Sequence, residues 1–175
     1  ATSYTGADHC RGYAFQEVFG VPIPWEVDRF AVEGKGKLTV WNQDVRTSTL
    51  DCATMCAFLL DMAVPATAYQ NTAALMEGVT GMIFTPDEVR KVGERVNTIA
   101  KAFNVREGFT RADDNLPERL MTEPIKGGAS KGHMISRKDL DVMLDEYYSE
   151  RGWDAKTGVP TRAKLVELGL EYIAD

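Results

Sequence analysis

Apolar residues recur at helical spacing along much of this chain, and no stretch sustains the alternation of apolar and polar residues that is typical of a β-strand. From Leu38 onward the spacing predicts a helix that ends near Asp51–Cys56. Because Asp44 and Arg46 fall on the other side of this helix, we expect both to point away from the core. The apolar face comprises Val40, Trp41, Val45 and Thr49.

The clearest helix begins at Thr85. The segment Thr85–Glu88 is a capping-box sequence, with Pro86 at the first helical position. The predicted apolar face comprises Val89, Val92, Val96, Ile99 and Phe103. The predicted charged face comprises Asp87, Glu88, Arg90, Lys91 and Glu94. We therefore expect an amphipathic helix that buries the first set and exposes the second.

The remaining segments predict shorter helices joined by loops. Three of them are Gly12–Phe19, Tyr69–Val79 (stopped by Gly78 and Gly81), and a last helix from the Thr161 cap to Leu168, closed by Gly169. Another begins at the Ser136–Asp139 cap and turns Leu140, Met143, Leu144 and Tyr147 inward. The apolar stretch Met55–Val64 is expected to be buried. The prediction is an all-α fold, an irregular multi-helix domain with a loop-rich N-terminal segment.

Length and composition suit one globular domain of 175 residues. The net charge of −6 and the scattered basic residues argue against nucleic-acid binding, and no apolar run is long enough to span a membrane. The three cysteines, without a visible secretory segment, indicate a reducing compartment, so we expect a cytoplasmic protein. The chain opens without Met, on a segment typical of mid-protein sequence, which favours a fragment or an isolated domain.

The segment Asp51-Cys-Ala-Thr-Met-Cys56 is a candidate cofactor site. At the end of a helix, one tight turn can present the carboxylate of Asp51 and the thiolate of Cys56. A carboxylate accepts charge-assisted hydrogen bonds from the N–H donors of a ligand, and a thiolate can bind iron. Spacing alone is more typical of a small buried cysteine beneath an aspartate at a helix end.

The segment Asp8-His9-Cys10-Arg11 is a second candidate, in a loop flanked by glycines. An imidazole with a pKa near neutrality can donate a hydrogen bond to a carbonyl oxygen or move a proton. The simpler interpretation is an exposed loop histidine. A rival use of the same residues is a zinc site formed by His9 with the three cysteines, Cys10, Cys52 and Cys56.

Three further segments carry a family resemblance: Phe103–Leu120, Tyr147–Asp154 and Gly158–Thr161. Phe103–Leu120 has more charges around Gly108 than a connector needs, and we expect these charged residues to have a structural role. Together with the stretches already described, these segments resemble the C-terminal part of the tungsten-containing aldehyde ferredoxin oxidoreductases. The resemblance runs through nearly the whole chain. It implies that residues 1–175 are a C-terminal helical domain whose upstream cofactor-binding domains are absent.

The resemblance also implies roles for individual residues. Asp51–Cys56 matches the family's second Asp-x-x-Gly-Leu-Cys motif, with Thr54 and Met55 in place of Gly-Leu. On this basis Asp51, Met55 and Arg11 contact a tungsten bis-pterin (molybdopterin) cofactor, Cys56 is the fourth ligand of a 4Fe–4S cluster, and His9 is the catalytic histidine near the metal. The implied reaction oxidises an aldehyde to a carboxylic acid.

The implied partners are the upstream domains of the same enzyme, ferredoxin as electron acceptor, a small aldehyde substrate and, as an open question, a second copy of the chain. Two alternatives remain open. One is a paralogous tungstopterin enzyme that acts on another substrate, such as an aromatic acyl-CoA. The other is a non-catalytic zinc-binding helical module.

Overall fold

The computed structural model describes residues 1–22, 24–56, 58 and 67–174. Within these residues the chain forms seven α-helices and no β-strand, which confirms the predicted all-α fold. The helices are α1 (Phe15–Phe19), α2 (Lys35–Val45), α3 (Ala68–Thr80), α4 (Pro86–Arg106), α5 (Glu118–Thr122), α6 (Arg137–Arg151) and α7 (Arg162–Glu167). None of these helices is long and apolar enough to cross a membrane.

The loop-rich start of the chain contains less helix than the sequence predicts. The interval Gly12–Phe19 divides into a 3₁₀ turn, His9–Gly12, and the five-residue α1, because Tyr13 and Ala14 leave the helical conformation between them. The apolar stretch Met55–Val64 lies mostly outside the described residues. Of the part that is described, Cys56 and Phe58 are exposed, so burial of this stretch is not seen there.

Helix α2 packs against α6 through a glycine. A Cβ atom added at Gly36 would lie 2.4 Å from the backbone nitrogen of Tyr147, so only glycine permits this approach. The carboxylate of Glu146 accepts hydrogen bonds from the N–H groups of Gly34 (3.0 Å) and Gly36 (2.8 Å). A residue of α6 thereby satisfies the free N–H groups at the start of α2, which fixes both helices in one register.

The expectation that Asp44 and Arg46 point to solvent is wrong, since both are buried. The Asp44 carboxylate accepts hydrogen bonds from Arg151 Nη1 (2.6 Å) and from Asn97 Nδ2 (2.9 Å). Neighbouring Gln43 accepts from the Tyr147 hydroxyl (2.7 Å) and from Arg151 Nη2 (2.8 Å). Two helices that are remote in sequence provide the partners, so the centre of the domain is polar and hydrogen-bonded.

Helix α4 begins at the predicted capping box, but it buries a different face. Of the predicted apolar face, Val89 is buried, whereas Val96 and Ile99 are 38% exposed and Phe103 is 53% exposed. The buried face is largely polar and comprises Gly93, Glu94, Asn97, Thr98 and Lys101. A Cβ atom at Gly93 would lie 2.4 Å from the carbonyl oxygen of Asp44. This glycine lets α4 approach the polar middle of α2. Glu94, which was predicted on the charged face, is buried and pairs with Lys164.

The second half of the chain follows the predictions closely. Helix α6 starts at the Ser136–Asp139 capping box and buries Tyr147 and Tyr148, which pack with Trp153. Arg111 binds this helix through Asp145 Oδ1 (2.6 Å), in agreement with a scaffold role for its loop. The remaining predicted features, the Thr161 cap of α7 and the left-handed Gly169 after it, are also present.

Candidate functional site

The 3₁₀ turn His9–Gly12 is capped by the residue that precedes it. Asp8 precedes the turn, and its carboxylate accepts a hydrogen bond of 2.9 Å from the backbone N–H of Cys10. His9 is exposed, with its Nε2 atom 3.6 Å from the Cys10 sulfur and its ring edge-to-face with Tyr13 at a centroid distance of 6.1 Å. The turn therefore presents an imidazole on the surface, with its ring placed between two neighbours.

The two candidate segments meet through an ion pair. The guanidinium of Arg11 donates to the carboxylate of Asp51, and its Nε lies 3.5 Å from the carboxylate of Asp8. The same guanidinium lies over the ring of Tyr4, 5.3 Å from its centroid. Asp51 and Asp8 are both partly exposed, so each carboxylate keeps accessible oxygen surface. Folding thus joins the histidine loop to the segment that follows α2.

The turn after α2 has an unusual backbone. The π-helical segment Arg46–Asp51 extends α2, and Thr54 then adopts a φ of +52°, the one positive φ at a non-glycine residue in the described chain. Glycine adopts this left-handed conformation without the steric cost that other residues bear. The resembled motif has glycine at this position, whereas this chain has threonine in the left-handed conformation.

Beyond Thr54 the turn separates its side chains. Met55 is half-buried and packs on the apolar cluster of Val45, Leu50 and Ala68. Cys56 is exposed. An anchored Met55 followed by an exposed thiol places Cys56 where a group outside this domain can reach it. The expected contact of Met55 with a pterin remains a prediction.

The zinc alternative does not assemble as proposed. The ligand atoms of Asp8, His9 and Cys10 lie within 4.8 Å of one another, and they form the one such group of three or more in the described residues. Cys52 and Cys56 are outside this group. The predicted set of three cysteines and one histidine is therefore not brought together, although all four residues are described.

The sequence did not predict the cavity beside His9. It has a volume of about 250 Å³, lies between α2 and α6, and reaches from the 3₁₀ turn to Leu140 and Leu144. Gln43 also lines it and is buried. One sequence signal does exist: Asn42-Gln43-Asp44 is a run of three polar residues between Trp41 and Val45, inside a helix that otherwise buries apolar side chains.

Comparison with known proteins gives the class. The family model described as "Aldehyde ferredoxin oxidoreductase, domains 2 & 3" matches residues 1–170, and the chain therefore belongs to the aldehyde ferredoxin oxidoreductase family of oxidoreductases. Over 97% of its length the chain is 34% identical to the tungsten-containing aldehyde ferredoxin oxidoreductase of Pyrococcus furiosus, and 31% identical to that of Thermococcus kodakarensis. In each case it covers 27% of the relative, so it spans about a quarter of the length of these proteins.

More distant relatives share the fold with other named activities. One is a Pyrococcus furiosus protein named as the WOR-like subunit of an aliphatic sulfonate oxidoreductase. It is 27% identical to this chain, and the match covers 69% of this chain and 19% of that protein. A solved structure described as the active site complex BamBC of benzoyl coenzyme A reductase with 1,5-dienoyl-CoA superposes with a TM-score of 0.66 at 25% identity. The match covers 83% of this chain and 20% of that one.

Proposed function

We propose that this chain is the C-terminal helical domain of an enzyme that oxidises aldehydes to carboxylic acids, with ferredoxin as electron acceptor. Family membership and the names of the relatives support the proposal. The single observation that carries it is the ion pair between Arg11 and Asp51, because it joins the turn that carries His9 to the residue from which the Asp51–Cys56 segment begins. We further propose that the rest of the site comes from upstream domains of the same protein.

The chemistry of these side chains fits part of a tungsten bis-pterin and 4Fe–4S site. The partly exposed carboxylate of Asp51 can accept from pterin N–H groups, and the Arg11 guanidinium beside it suits phosphate or ring oxygens. A 4Fe–4S cluster needs four ligands, normally thiolates, and no group of three or more potential ligands in the described residues includes Cys56. Cys56 therefore fits as one ligand, with the others supplied from elsewhere in the protein.

When bound, the tungsten–pterin group would supply the two-electron chemistry and the cluster would pass the electrons on singly to ferredoxin. The residues of this chain would position the cluster ligand and the substrate, and would move a proton. Met55 and the left-handed Thr54 hold the turn that exposes Cys56. His9, at the mouth of the cavity, would donate a hydrogen bond to the aldehyde oxygen or move a proton at its ring nitrogen. Three free thiols fit a reducing compartment, so we place the enzyme in the cytoplasm.

The test is purification of the full-length protein without oxygen, followed by elemental analysis and turnover assays. Tungsten and iron with aldehyde-dependent reduction of ferredoxin are the expected results. Tungsten and iron without aldehyde turnover, but with reaction of an aromatic acyl-CoA, would instead favour the paralogue, which the similarity to the benzoyl coenzyme A reductase complex supports. A protein that binds neither metal in any preparation would contradict both.

A further inference from the structure

Two cavities, each partly open to solvent, share one wall in this domain. The cavity beside His9 measures about 250 Å³, and a larger one of about 510 Å³ lies on the other side, between the Phe30 region and the loop around Ile125. Four residues line both cavities: Lys35, Thr39, Ile135 and Met143. A change in one of these side chains can therefore alter the length of the space that begins at His9.

The cavity beside His9 suits an uncharged apolar group. Much of its lining is aliphatic and comprises Leu116, Ile135, Leu140, Met143 and Leu144. Two of its polar lining groups, Gln43 and Lys35, already have partners within the protein. The Gln43 oxygen accepts from Tyr147 and Arg151, and the Lys35 ammonium donates to Glu17 and to the Asp28 carbonyl. A charged ligand group would find no unpaired charge among these residues, and its desolvation would be unfavourable.

We propose that this cavity binds the apolar group of the aldehyde, a short alkyl chain or a single ring, and that Met143 limits the length of that group. The proposal rests on the proposed function, since it places the carbonyl at His9. An apolar cavity of about 150 Å³ already holds a benzene molecule. The volume of about 250 Å³ therefore accommodates one ring or a short chain, together with the carbonyl carbon.

Met143 is the wall residue most suited to this role. The Lys35 side chain is fixed by its ion pair, and the Thr39 hydroxyl donates to the Lys35 carbonyl at 2.8 Å. The side chain of Met143 is half-buried, unbranched and adaptable, and it lies in the middle of the rigid helix α6. Truncation of this side chain would open the smaller cavity toward the larger one without removing an ion pair or a hydrogen bond of the wall.

The experiment measures binding of straight-chain alcohols of increasing length to the full-length protein by titration calorimetry. Such alcohols carry the alkyl group but need no turnover. In the unchanged protein the affinity should rise about fourfold per methylene until the cavity is full, and should then level off. In Met143→Ala the levelling-off should shift to alcohols that are longer by at least two carbons. Ile135→Ala, in the same wall, should shift it in the same direction.

The matched control is Val142→Ala, because Val142 is the partly exposed neighbour of Met143 on α6 and does not line either cavity. It should leave the length profile unchanged. Unshifted profiles in both Met143→Ala and Ile135→Ala, with circular dichroism showing intact folding, would overturn the inference. A shifted profile in a protein that does not oxidise aldehydes would retain the cavity assignment and reject the proposed function. Aldehyde oxidation with an unshifted profile would retain the proposed function and reject the cavity assignment.

Discussion

Arg151 and Asp44 form an ion pair in the interior of the domain, with 2.6 Å between Nη1 and Oδ1 and side-chain exposures of 0% and 6%. Burial raises the pKa of Asp44, while Arg151 and Asn97 oppose this by stabilising the ionised carboxylate. The pair lies where α2, α4 and α6 meet, and Arg151 also binds Gln43, which lines the cavity beside His9. The stability of the fold and the shape of the cavity therefore depend on the same arginine.

Replacement of this arginine should be strongly destabilising. Arg151→Met removes one partner and leaves Asp44 buried without its counter-charge, so the free energy of unfolding should fall by about 3–5 kcal/mol. Urea unfolding measures this change. Arg119→Met is the control, because Arg119 pairs with Glu123 at an exposed site, and it should change stability little. The double variant Asp44→Asn/Arg151→Met should be more stable than the sum of the single changes predicts.

Glycines at close helix contacts should not tolerate a methyl group. Gly36→Ala would place Cβ against the backbone of α6, and Gly93→Ala would place it against the Asp44 carbonyl, so each should lower stability by about 1–3 kcal/mol or more. Gly78, within α3, has open space around its Cβ position. Gly78→Ala should therefore raise stability by about 0.5–1 kcal/mol. Thermal unfolding distinguishes the three variants, and equal effects would refute the close-contact explanation.

The two cysteines after α2 should differ in the complete enzyme. Burial, and then the negative charge of Asp51, raise the pKa of the Cys52 thiol, which disfavours the thiolate form that a metal binds. We expect Cys56→Ser to lose the absorbance of the iron–sulfur cluster and Cys52→Ser to retain it. Cys10→Ser is the further control and should also retain the cluster. Loss of the cluster in Cys52→Ser alone would reverse the assignment.

His9 should affect turnover and not metal content. If it binds the substrate carbonyl or moves a proton, His9→Ala should reduce turnover by roughly 10²–10⁴-fold, the usual range for a positioned acid or base. Tungsten and iron content, measured by elemental analysis, should be unchanged. His9→Asn keeps a hydrogen-bond donor but cannot transfer a proton, so it separates the two roles. Near-normal turnover in fully loaded His9→Ala would make this residue an ordinary surface histidine.

Acid should destabilise the domain partly through its helix caps. Hydrogen bonds from the Ser136 hydroxyl and N–H lower the pKa of Asp139, and those from Thr85 lower the pKa of Glu88. A lowered folded-state pKa contributes stability above the unfolded value, about 4 for a carboxyl, and this contribution is lost as the pH falls through the folded value. Melting temperatures between pH 6 and pH 2.5 should fall less steeply for Asp139→Asn. Glu150→Gln, in the last turn of α6, should follow the unchanged chain.

The sequence by itself determined where most helices begin and which residues carry the candidate chemistry. The caps at Thr85 and Ser136 are formed by residues three positions apart, so the hydrogen bonds that start these helices are readable locally. Asp51–Cys56 and the His9 loop are likewise contiguous motifs, and the family resemblance predicted their joint use. Arg11 and Asp51 are 40 positions apart, and the structure shows that they meet.

Only the tertiary structure decided which faces are buried. Asp44 is polar and was expected outside, but its partner Arg151 lies 107 positions away and provides the charge that makes its burial tolerable. The same holds for α4, where Gly93 allows a close approach that buries polar side chains and leaves Val96, Ile99 and Phe103 partly exposed. The cavity beside His9 also arises from the packing of α2 on α6. Periodicity identifies an apolar face, but burial depends on what lies opposite, and those partners come from distant parts of the chain.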